Sequence, residues 1–239
     1  IFGEQIYESP DFTPSEETVY DWSLEDINPN SDYYSQYIGP STFIEQDFVS
    51  VYYFGKAGWS LCRHRFGVLN DLYLDLLSEG YTDIRIIGVN GYQYINDNYH
   101  CMICDDPSSC SNCDDTRILP WVQDVPSSFN LNYSSQSECE ENGLEWGVGE
   151  QITHESMDQS TCEENGYIWI HEECIENVYG CVEEVDVWGN WDIILRDLVI
   201  VNREGYEVAR LNLTYANPDP NSTCGENYET IKQLIINAR

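Results

Sequence analysis

The sequence predicts an α/β fold in which a central sheet is flanked by helices and interrupted by a disulfide-rich insertion. Three observations predict it. An apolar strand, an amphipathic helix and a second apolar strand follow one another between residues 48 and 89. Eight of the ten cysteines fall between residues 100 and 185. Strand and helix patterns then return after residue 186.

The first strand is indicated by a near-continuous apolar run, as expected when both faces of a strand are buried. Its members are Phe48, Val49, Val51, Tyr53 and Phe54. The helix is indicated by apolar residues at helical spacing, namely Phe66, Leu69, Tyr73, Leu76 and Leu77. Gly80 lies where a helix end favours a positive φ angle. The second strand contains Ile84, Ile86, Ile87 and Val89.

The two ends of the chain complete this unit. The N-terminal extension, residues 1–46, is aromatic and acidic, and we expect it to lie across the sheet as an added strand or arm. Residues 47–99 form the strand–helix–strand half, and residues 100–185 form the insertion. Residues 186–239 form the second half, with antiparallel strands at about 197–202 and 206–213 and a last helix around Tyr228–Ala238.

Cys62 lies in the first turn of the predicted helix. Unpaired backbone N–H groups and the positive end of the helix dipole surround that place. Both favour the thiolate over the thiol, so the position is suited to thiolate chemistry.

The net charge of −33 limits the function classes that are open to the chain. With 43 acidic residues against 10 Lys and Arg, the surface repels nucleic acid and anionic lipid, and neither is expected as a partner. Weak Ca²⁺ association is open, but solvation of the surface explains the acidity better because no D-x-D-x-D-G loop is present.

The same composition predicts a folded, secreted protein. A hydrophobic content of 41% supplies a core, and no run approaches the roughly 18 apolar residues of a membrane span, so membrane insertion is not expected. Ten cysteines indicate an oxidising compartment. The chain begins at Ile1 without methionine, which suits an extracellular form from which a targeting segment has been removed.

Cysteine parity leaves two alternatives for Cys62. If all ten cysteines pair, Cys62 belongs to one of five disulfides and is no catalytic thiol. If Cys62 is free, one of the other nine is also unpaired or bonded elsewhere. Cys224, the other cysteine outside the insertion, is a further disulfide candidate, as are the eight cysteines within it.

The insertion opens with two C-x-x-C pairs, Cys101/Cys104 and Cys110/Cys113. Four close thiolates can hold zinc or an iron–sulfur centre. Two short-range disulfides are favoured instead, because zinc ribbons separate their pairs by more residues and the compartment is oxidising.

An internal repeat follows, in which residues 135–146 recur as 158–169. Each copy predicts a Ser or Thr helix cap, one helical turn carrying a cysteine, an Asn-Gly turn and a short strand ending in Trp. In the second copy Cys162 and Cys174 form a natural disulfide. In the first copy Cys139 must find a distant partner, such as Cys181 or a member of the first cluster. Such small stapled units are usually contact surfaces.

Other candidates are weaker. His64 follows Cys62 in Arg63-His64-Arg65, where it either tunes a thiolate or belongs to a solvated helix face. The remaining histidines are dispersed, His171 among them. Asn132, Asn212 and Asn221 begin N-x-S/T sequences and are glycosylation acceptors in a host that glycosylates.

The strand-to-helix corner resembles the thioredoxin fold, most closely the selenoprotein P N-terminal domain and extracellular bacterial redoxin-like proteins. The resemblance is carried by Ala57–Cys62, Ser78–Tyr81, Asp186–Trp188 and Asp197–Gly205, and it covers roughly residues 20–95 and 185–239. It implies a thioredoxin-like mixed sheet. The segment Ile118–Asp124 is similar to one that redoxin-like proteins use near the sheet edge, where Trp121 would pack against the core.

The resemblance assigns the attacking chalcogen to position 59, which here is Trp59, and the resolving position to Cys62. Tryptophan is not a nucleophile, so the usual first step of thiol–disulfide exchange is missing. One hypothesis is that a UGA codon for selenocysteine has been rendered as tryptophan. Arg196 occupies the place where thioredoxins have a cis-proline; together with Arg63 or His64, it would stabilise an anion at this corner.

Two functions follow. The first is a secreted thiol or selenol oxidoreductase acting on a small oxidant such as a peroxide, or on protein thiols and disulfides, with catalytic candidates Trp59 (as a motif position), Cys62, Arg63, His64 and Arg196. The second is a redox-inactive binding or structural module that self-associates through its acidic, tyrosine-rich surface. No cofactor is required by either.

Overall fold

The computed structural model describes residues 17–106, 110, 113, 116–133, 135–154, 157–170, 173–184 and 186–239. These residues divide into two compact units. One contains the chain up to Val125 together with Val187–Arg239, and the other is Pro126–Asp186.

The elements up to the end of the fifth strand are β1 (Leu24–Glu25), β2 (Tyr37–Ile38), α1 (Pro40–Ile44), β3 (Val49–Gly55), α2 (Ser60–Ser78), β4 (Ile84–Asn90), a 3-10 turn (Tyr92–Tyr94), α3 (His100–Ile103) and β5 (Trp121–Gln123). The second unit contains β6 (Ser128–Asn130), α4 (Gln136–Glu141), β7 (Glu145–Thr153), α5 (Gln159–Glu164), β8 (Ile168–Ile170) and β9 (Glu173–Glu184). The first unit then resumes with α6 (Val187–Asn190), β10 (Asp197–Val201), β11 (Glu207–Asn212) and α7 (Glu226–Asn237).

The central sheet of the first unit has the strand order β11-β10-β3-β4-β5. Strands β3, β4 and β5 are parallel to one another, whereas β10 is antiparallel to both β3 and β11. In this register Val51 lies between Ile86 on β4 and Ile200 on β10. A β–α–β half joined to a β–β–α half in this order is the thioredoxin-like arrangement, so the predicted α/β fold is confirmed. The two outer portions of the chain form one sheet.

Helices α2 and α7 cover one face of the sheet. Leu69 and Leu72 of α2 and Ile235 of α7 are completely buried with residues such as Val51 and Ile86. Gly80 ends the turn after α2 with a φ of +92°, as the sequence predicts. Burying each large apolar side chain contributes roughly 1.5–3 kcal/mol of transfer free energy, and this contribution holds the helices against the sheet.

The N-terminal extension covers the other face. Trp22 and Phe43 pack there against Tyr52 and Phe54 of β3. At the β5 edge, an isolated antiparallel bridge joins Asp26 to Val122. The arm predicted for residues 1–46 is therefore seen in its described part, which begins at residue 17.

The boundary of the insertion differs from the predicted one. Residues 100–125 belong to the first unit, because β5 adds a strand to the central sheet and the insertion starts only at Pro126. Trp121 on β5 is fully buried at the sheet edge and packs edge-on against Phe66, with ring centroids 5.0 Å apart. Because residues 101–113 are rich in cysteine, the sequence predicted that the insertion begins there and did not predict that β5 joins the central sheet.

The second unit is an antiparallel sheet built around β9. Strand β7 pairs with one edge of β9, and β6 and β8 pair with the other. The two repeat copies supply α4 with β7 and α5 with β8. The helix cap of the first copy is Ser135, as predicted, but that of the second is Asp158, which accepts the N–H of Thr161 at 2.9 Å. Trp146 is the second residue of a nine-residue strand and does not end a short one.

Four disulfides join Cys101 to Cys110, Cys104 to Cys113, Cys139 to Cys181 and Cys162 to Cys174. Of the partners that the sequence offered for Cys139, the structure shows Cys181. The predicted pair of Cys162 with Cys174 is also found. The cluster at residues 101–113 forms disulfides, and a disulfide sulfur is not the thiolate that a zinc or iron–sulfur site requires.

Candidate functional site

The corner between β3 and α2 carries the motif positions. Trp59 is the residue that caps the start of α2, with extended backbone angles (φ −100°, ψ 127°). Its side chain is 48% exposed. Cys62 follows in the first helical turn and is completely buried. The corner thus presents an aromatic ring to solvent and keeps its sulfur underneath.

Two cations flank the Trp59 ring. The Lys56 ammonium lies 5.2 Å from the ring centroid and the Arg196 guanidinium lies 5.9 Å from it. Lys56 also lies 4.6 Å from the ring of Tyr94. Cations at these distances are attracted by the ring quadrupole, by about 0.5–1 kcal/mol each at exposed sites. The juxtaposition of the corner with Arg196 is the one that the sequence predicts.

Arg196 is held in an uncommon backbone conformation. It has a φ of +77°, in the left-handed region that non-glycine residues rarely adopt. Its N–H donates to the carbonyl of Phe54 at 2.8 Å, and its own carbonyl accepts the N–H of Leu213 at 2.9 Å. Its side-chain Nε donates to Thr214 at 2.8 Å. These bonds to β3 and to the end of β11 fix the guanidinium beside Trp59.

Cys62 is unpaired and lies within the core on the helical side of the sheet. The hydroxyl of Tyr53 donates to the Cys62 carbonyl at 3.3 Å. Burial first, and then Cys62, raises the pKa of Tyr53 well above its usual value, so the phenol stays protonated. The parity alternative in which Cys62 is free is the one found, with Cys224, an exposed residue before α7, as the second unpaired cysteine.

Arg65 lies one helical turn after Cys62 in α2 and is buried, although its sequence position gave no sign of a role at this corner. Its Nε donates to the carbonyl of Leu213 at 3.0 Å. Burial lowers the pKa of Arg65, while charge interactions with Tyr53, Asp219 and Cys62 oppose that change. Lys56, Arg65 and Arg196 concentrate positive charge at one corner of a strongly acidic chain.

Arg63 and His64 point to other partners. Nε2 of His64 lies 2.9 Å from the Asp219 carboxylate. The pKa of Asp219 is lowered, first by the backbone N–H of Asn221 and then by His64. Arg63 lies near enough to the buried Arg117 for the two positive charges to repel. The pKa of Arg117 falls to about 10, mainly because the side chain is buried and partly because of this repulsion. Among the described residues, no hydrogen bond or ion pair joins the side chain of Arg63 or His64 to the sulfur of Cys62, so their roles beside that sulfur stay predictions.

Polar residues of β4 and the turn after it fix the backbone before Trp59. The Asn90 side chain accepts the N–H of Ala57 at 3.0 Å, and the Asp97 carboxylate accepts the N–H of Gly58 at 3.0 Å. Asn90 is itself buried and donates to the carbonyl of Tyr94 at 3.1 Å. Sequence patterns gave no signal for Lys56, Tyr94 or Asp97, because these contacts join separate loops.

The glycosylation candidates differ in accessibility. Asn132 and Asn221 are exposed. The Asn212 amide nitrogen donates to the carbonyl of Leu195 at 3.1 Å and to the Asp197 carboxylate at 2.8 Å. The Asn212 side chain is therefore engaged in the folded chain, and glycosylation at each of the three positions stays a prediction. His171 lies outside the described residues.

Within the part of the chain that the structure describes, no group of three or more His, Cys, Asp or Glu side chains is arranged to hold a metal ion. Weak Ca²⁺ association with the acidic surface stays a prediction. No helix in the described residues has both the length and the apolar character needed to cross a membrane.

No protein-family profile matches the sequence, and no curated protein matches it. Among solved structures, it is similar to the thioredoxin domain of a thiol-disulfide oxidoreductase from Bacteroides vulgatus, with 13% identity, coverage of 94% of this chain and 99% of that chain, and a TM-score of 0.46. It is also similar to thioredoxin peroxidase I of Plasmodium yoelii, with 13% identity, coverage of 92% of this chain and 87% of that chain, and a TM-score of 0.45. A third similar structure is BsSco, of the Sco family of cytochrome c oxidase assembly proteins, with 15% identity, coverage of 95% of each chain and a TM-score of 0.43. Such scores carry no conclusion about activity, and the thioredoxin-like fold rests on the strand order and directions of the central sheet.

Proposed function

We propose that this chain is a redox-inactive, thioredoxin-like binding module whose binding site is the exposed ring of Trp59 with Lys56 and Arg196. One observation carries the proposal: an exposed aromatic side chain flanked by two cations stands at the start of α2, three residues before a fully buried and unpaired cysteine.

Thiol–disulfide exchange requires an accessible thiolate. Trp59 offers no sulfur, and Cys62 has no exposed surface. Cys224 is exposed, but it belongs to the loop before α7 and has no disulfide partner in the described chain. The corner therefore lacks the pair of sulfurs that would be oxidised and reduced in a catalytic cycle.

The charges at the site favour an anionic ligand. Neither Lys56 nor Arg196 forms an ion pair with any carboxylate that the structure describes, although the chain carries a net charge of −33. A carboxylate placed between the two cations would gain charge-assisted hydrogen bonds, and its neighbouring apolar groups would cover the Trp59 ring. The ligand class that fits is a carboxylate-bearing peptide segment.

Binding is tested with a fluorescein-labelled, Glu-rich octapeptide and fluorescence anisotropy. We expect Lys56→Gln and Arg196→Gln each to weaken binding by about fivefold to tenfold, with a loss of affinity at high salt. Arg239→Gln is the charge-matched control, because Arg239 contacts Tyr81 and Asp83 beyond the C-terminal end of α2. Equal effects of all three substitutions would show that only net charge matters and would refute the site.

Redox inactivity is tested on the same protein. A native sample should alkylate at Cys224 and not at Cys62, and it should show neither insulin reduction nor peroxide turnover. After denaturation without reductant, both cysteines should alkylate. Turnover that depends on Cys62 would refute the proposal.

A second function is favoured by the same cations. If residue 59 of the native protein is selenocysteine, as in selenoprotein P-like proteins, the helix start with Lys56 and Arg196 would stabilise a selenolate there, and Cys62 would be its resolving thiol. The protein would then be a selenol oxidoreductase acting on peroxides or disulfides. Intact mass spectrometry of protein isolated from its source decides between selenocysteine and tryptophan.

Either function would operate in an oxidising, extracellular compartment. The four disulfides support that location, because such bonds persist outside the reducing cytosol.

A further inference from the structure

Among the described residues of the second unit, one long strand is unpaired along its outer side. Within that part of the chain, strand β7 pairs with β9 alone, while β6 and β8 occupy the opposite edge of β9. None of the backbone or side-chain hydrogen bonds found among the described residues reaches the outer edge of β7. An open row of N–H and C=O groups is a template for pairing with another extended chain.

The register shows which groups face outwards. The N–H of His154 donates to the carbonyl of Cys174, directly opposite, at 2.9 Å. In an antiparallel ladder, hydrogen-bonded and non-hydrogen-bonded pairs alternate. The next pair, Thr153 with Ile175, is therefore non-hydrogen-bonded, and the N–H and C=O of Thr153 point away from β9. By the same alternation the N–H of Ile152 points towards β9.

The charge of this unit limits what can pair there. No residue from Pro126 to Asp186 is Lys or Arg, whereas β7 itself contributes Glu145 and Glu150. A second copy of the chain would bring another unit without Lys or Arg against this one, and the like charges of the two acidic units would repel each other. A bulge between Val148 and Glu150 also interrupts the edge and shortens the segment on which two identical strands could align.

Apolar side chains are available beside the open edge. Val148 and Ile152 of β7 are each 37% exposed, and Tyr179 of β9, opposite Val148, is 48% exposed. A strand added to β7 would cover part of this surface with its own alternate side chains.

We infer that the outer edge of β7 is a docking site for an extended peptide carrying Lys or Arg, bound by strand addition. Backbone hydrogen bonds to the segment around Thr153 hold the peptide, and its cationic side chains are attracted by the acidic unit. This site is separate in sequence and in fold unit from the Trp59 site and does not depend on the function proposed for it.

The test uses the full chain and three labelled peptides of equal length: an alternating Lys–Val peptide, its Glu–Val counterpart, and the Lys–Val peptide N-methylated at alternate residues. N-methylation keeps the charge and removes the strand-forming N–H groups. We expect the unmodified Lys–Val peptide to bind at least about tenfold more tightly than either of the others. Equal binding of the N-methylated peptide would overturn the inference, because attraction to an acidic surface would then suffice.

Two variants test the edge itself. Thr153→Pro removes an outward N–H, which an edge strand tolerates, and should weaken binding of the Lys–Val peptide about tenfold. Thr153→Ala keeps that N–H and should bind as the parent does. If Thr153→Pro does not fold, the peptide comparison on the parent chain still decides. Light scattering that shows a dimer abolished by Thr153→Pro would assign the edge to a second copy and overturn the inference.

Discussion

The guanidinium of Arg196 lies over the ring of Trp59, 5.9 Å from its centroid, although the two residues are far apart in the sequence. The contact exists because β10 joins β3 in the central sheet, which places the residue before β10 next to the start of α2. At this corner an exposed aromatic ring lies beside two positive charges, which makes position 59 the most informative place for substitution.

Trp59→Cys should create a redox-active pair. A cysteine at the helix cap and Cys62 in the first turn have the C-x-x-C spacing, and the start of a 19-residue helix together with Lys56 and Arg196 stabilises a thiolate. We expect a disulfide between the new cysteine and Cys62 under mild oxidation, and insulin reduction above the background of the parent. Mass spectrometry of tryptic peptides and a turbidity assay measure the two effects.

Trp59→Ser is the matched control for that variant, since it removes the ring without adding sulfur and should stay inactive. The expectation fails if the oxidised Trp59→Cys protein still alkylates at both positions. That outcome would mean that the burial of Cys62 prevents the bond.

Trp121 and Trp59 should differ sharply in their contribution to stability. Trp121 is fully buried against Phe66, whereas Trp59 is 48% exposed. We expect Trp121→Ala to lower the free energy of unfolding by about 3–5 kcal/mol through the cavity it leaves, and Trp59→Ala by no more than about 1 kcal/mol. Urea denaturation followed by circular dichroism measures both. A loss below about 1 kcal/mol for Trp121→Ala would contradict the placement of β5 in the sheet.

Burial of Asp26 predicts how the stability of the fold changes with pH. Its carboxyl group is buried, and although the N–H groups of Asn28 and Trp121 donate to it, burial is the larger effect and raises its pKa. A folded-state pKa above the unfolded value contributes stability that is present below the unfolded pKa and is lost as pH rises through the folded pKa. Ionised Asp26 therefore costs stability at neutral pH.

Asp26→Asn should consequently be favourable relative to the parent at pH 7, and this advantage should disappear as pH falls below about 4, near the unfolded pKa. The measurement is the difference in urea midpoint between the two proteins across this range, in which the general effect of net charge cancels. Asp32→Asn, at an exposed neighbouring position, is the control. A difference that grows in favour of Asn on acidification would show that the sign is wrong.

The sequence predicts the central sheet well because its strands are apolar on both faces and α2 has a clear helical period. It places Cys62 in the first turn of α2 for the same reason, whereas the position of Arg196 beside the corner was implied by the resemblance to the thioredoxin fold. It does not predict that β5 belongs to this sheet, since three residues following a cysteine cluster carry little periodicity. Lys56, Arg65 and Tyr94 were also missed, because their contacts depend on how loops from distant parts of the chain meet.

Loop length should decide which disulfide of the second unit matters more. Cys139 and Cys181 are separated by 42 residues, and Cys162 and Cys174 by 12. In the chain-entropy model, closing the longer loop removes more freedom from the unfolded chain, about 4 kcal/mol against about 3 kcal/mol. The double variant Cys139→Ser/Cys181→Ser should therefore unfold at lower denaturant than Cys162→Ser/Cys174→Ser, with the first unit unaffected in both. Tryptic digestion under native conditions, followed by mass spectrometry, would show whether cleavage begins within Pro126–Asp186. If the short-loop variant proved the less stable one, native packing around Cys162 and Cys174 would outweigh loop entropy, and the entropic ranking would be wrong for this unit.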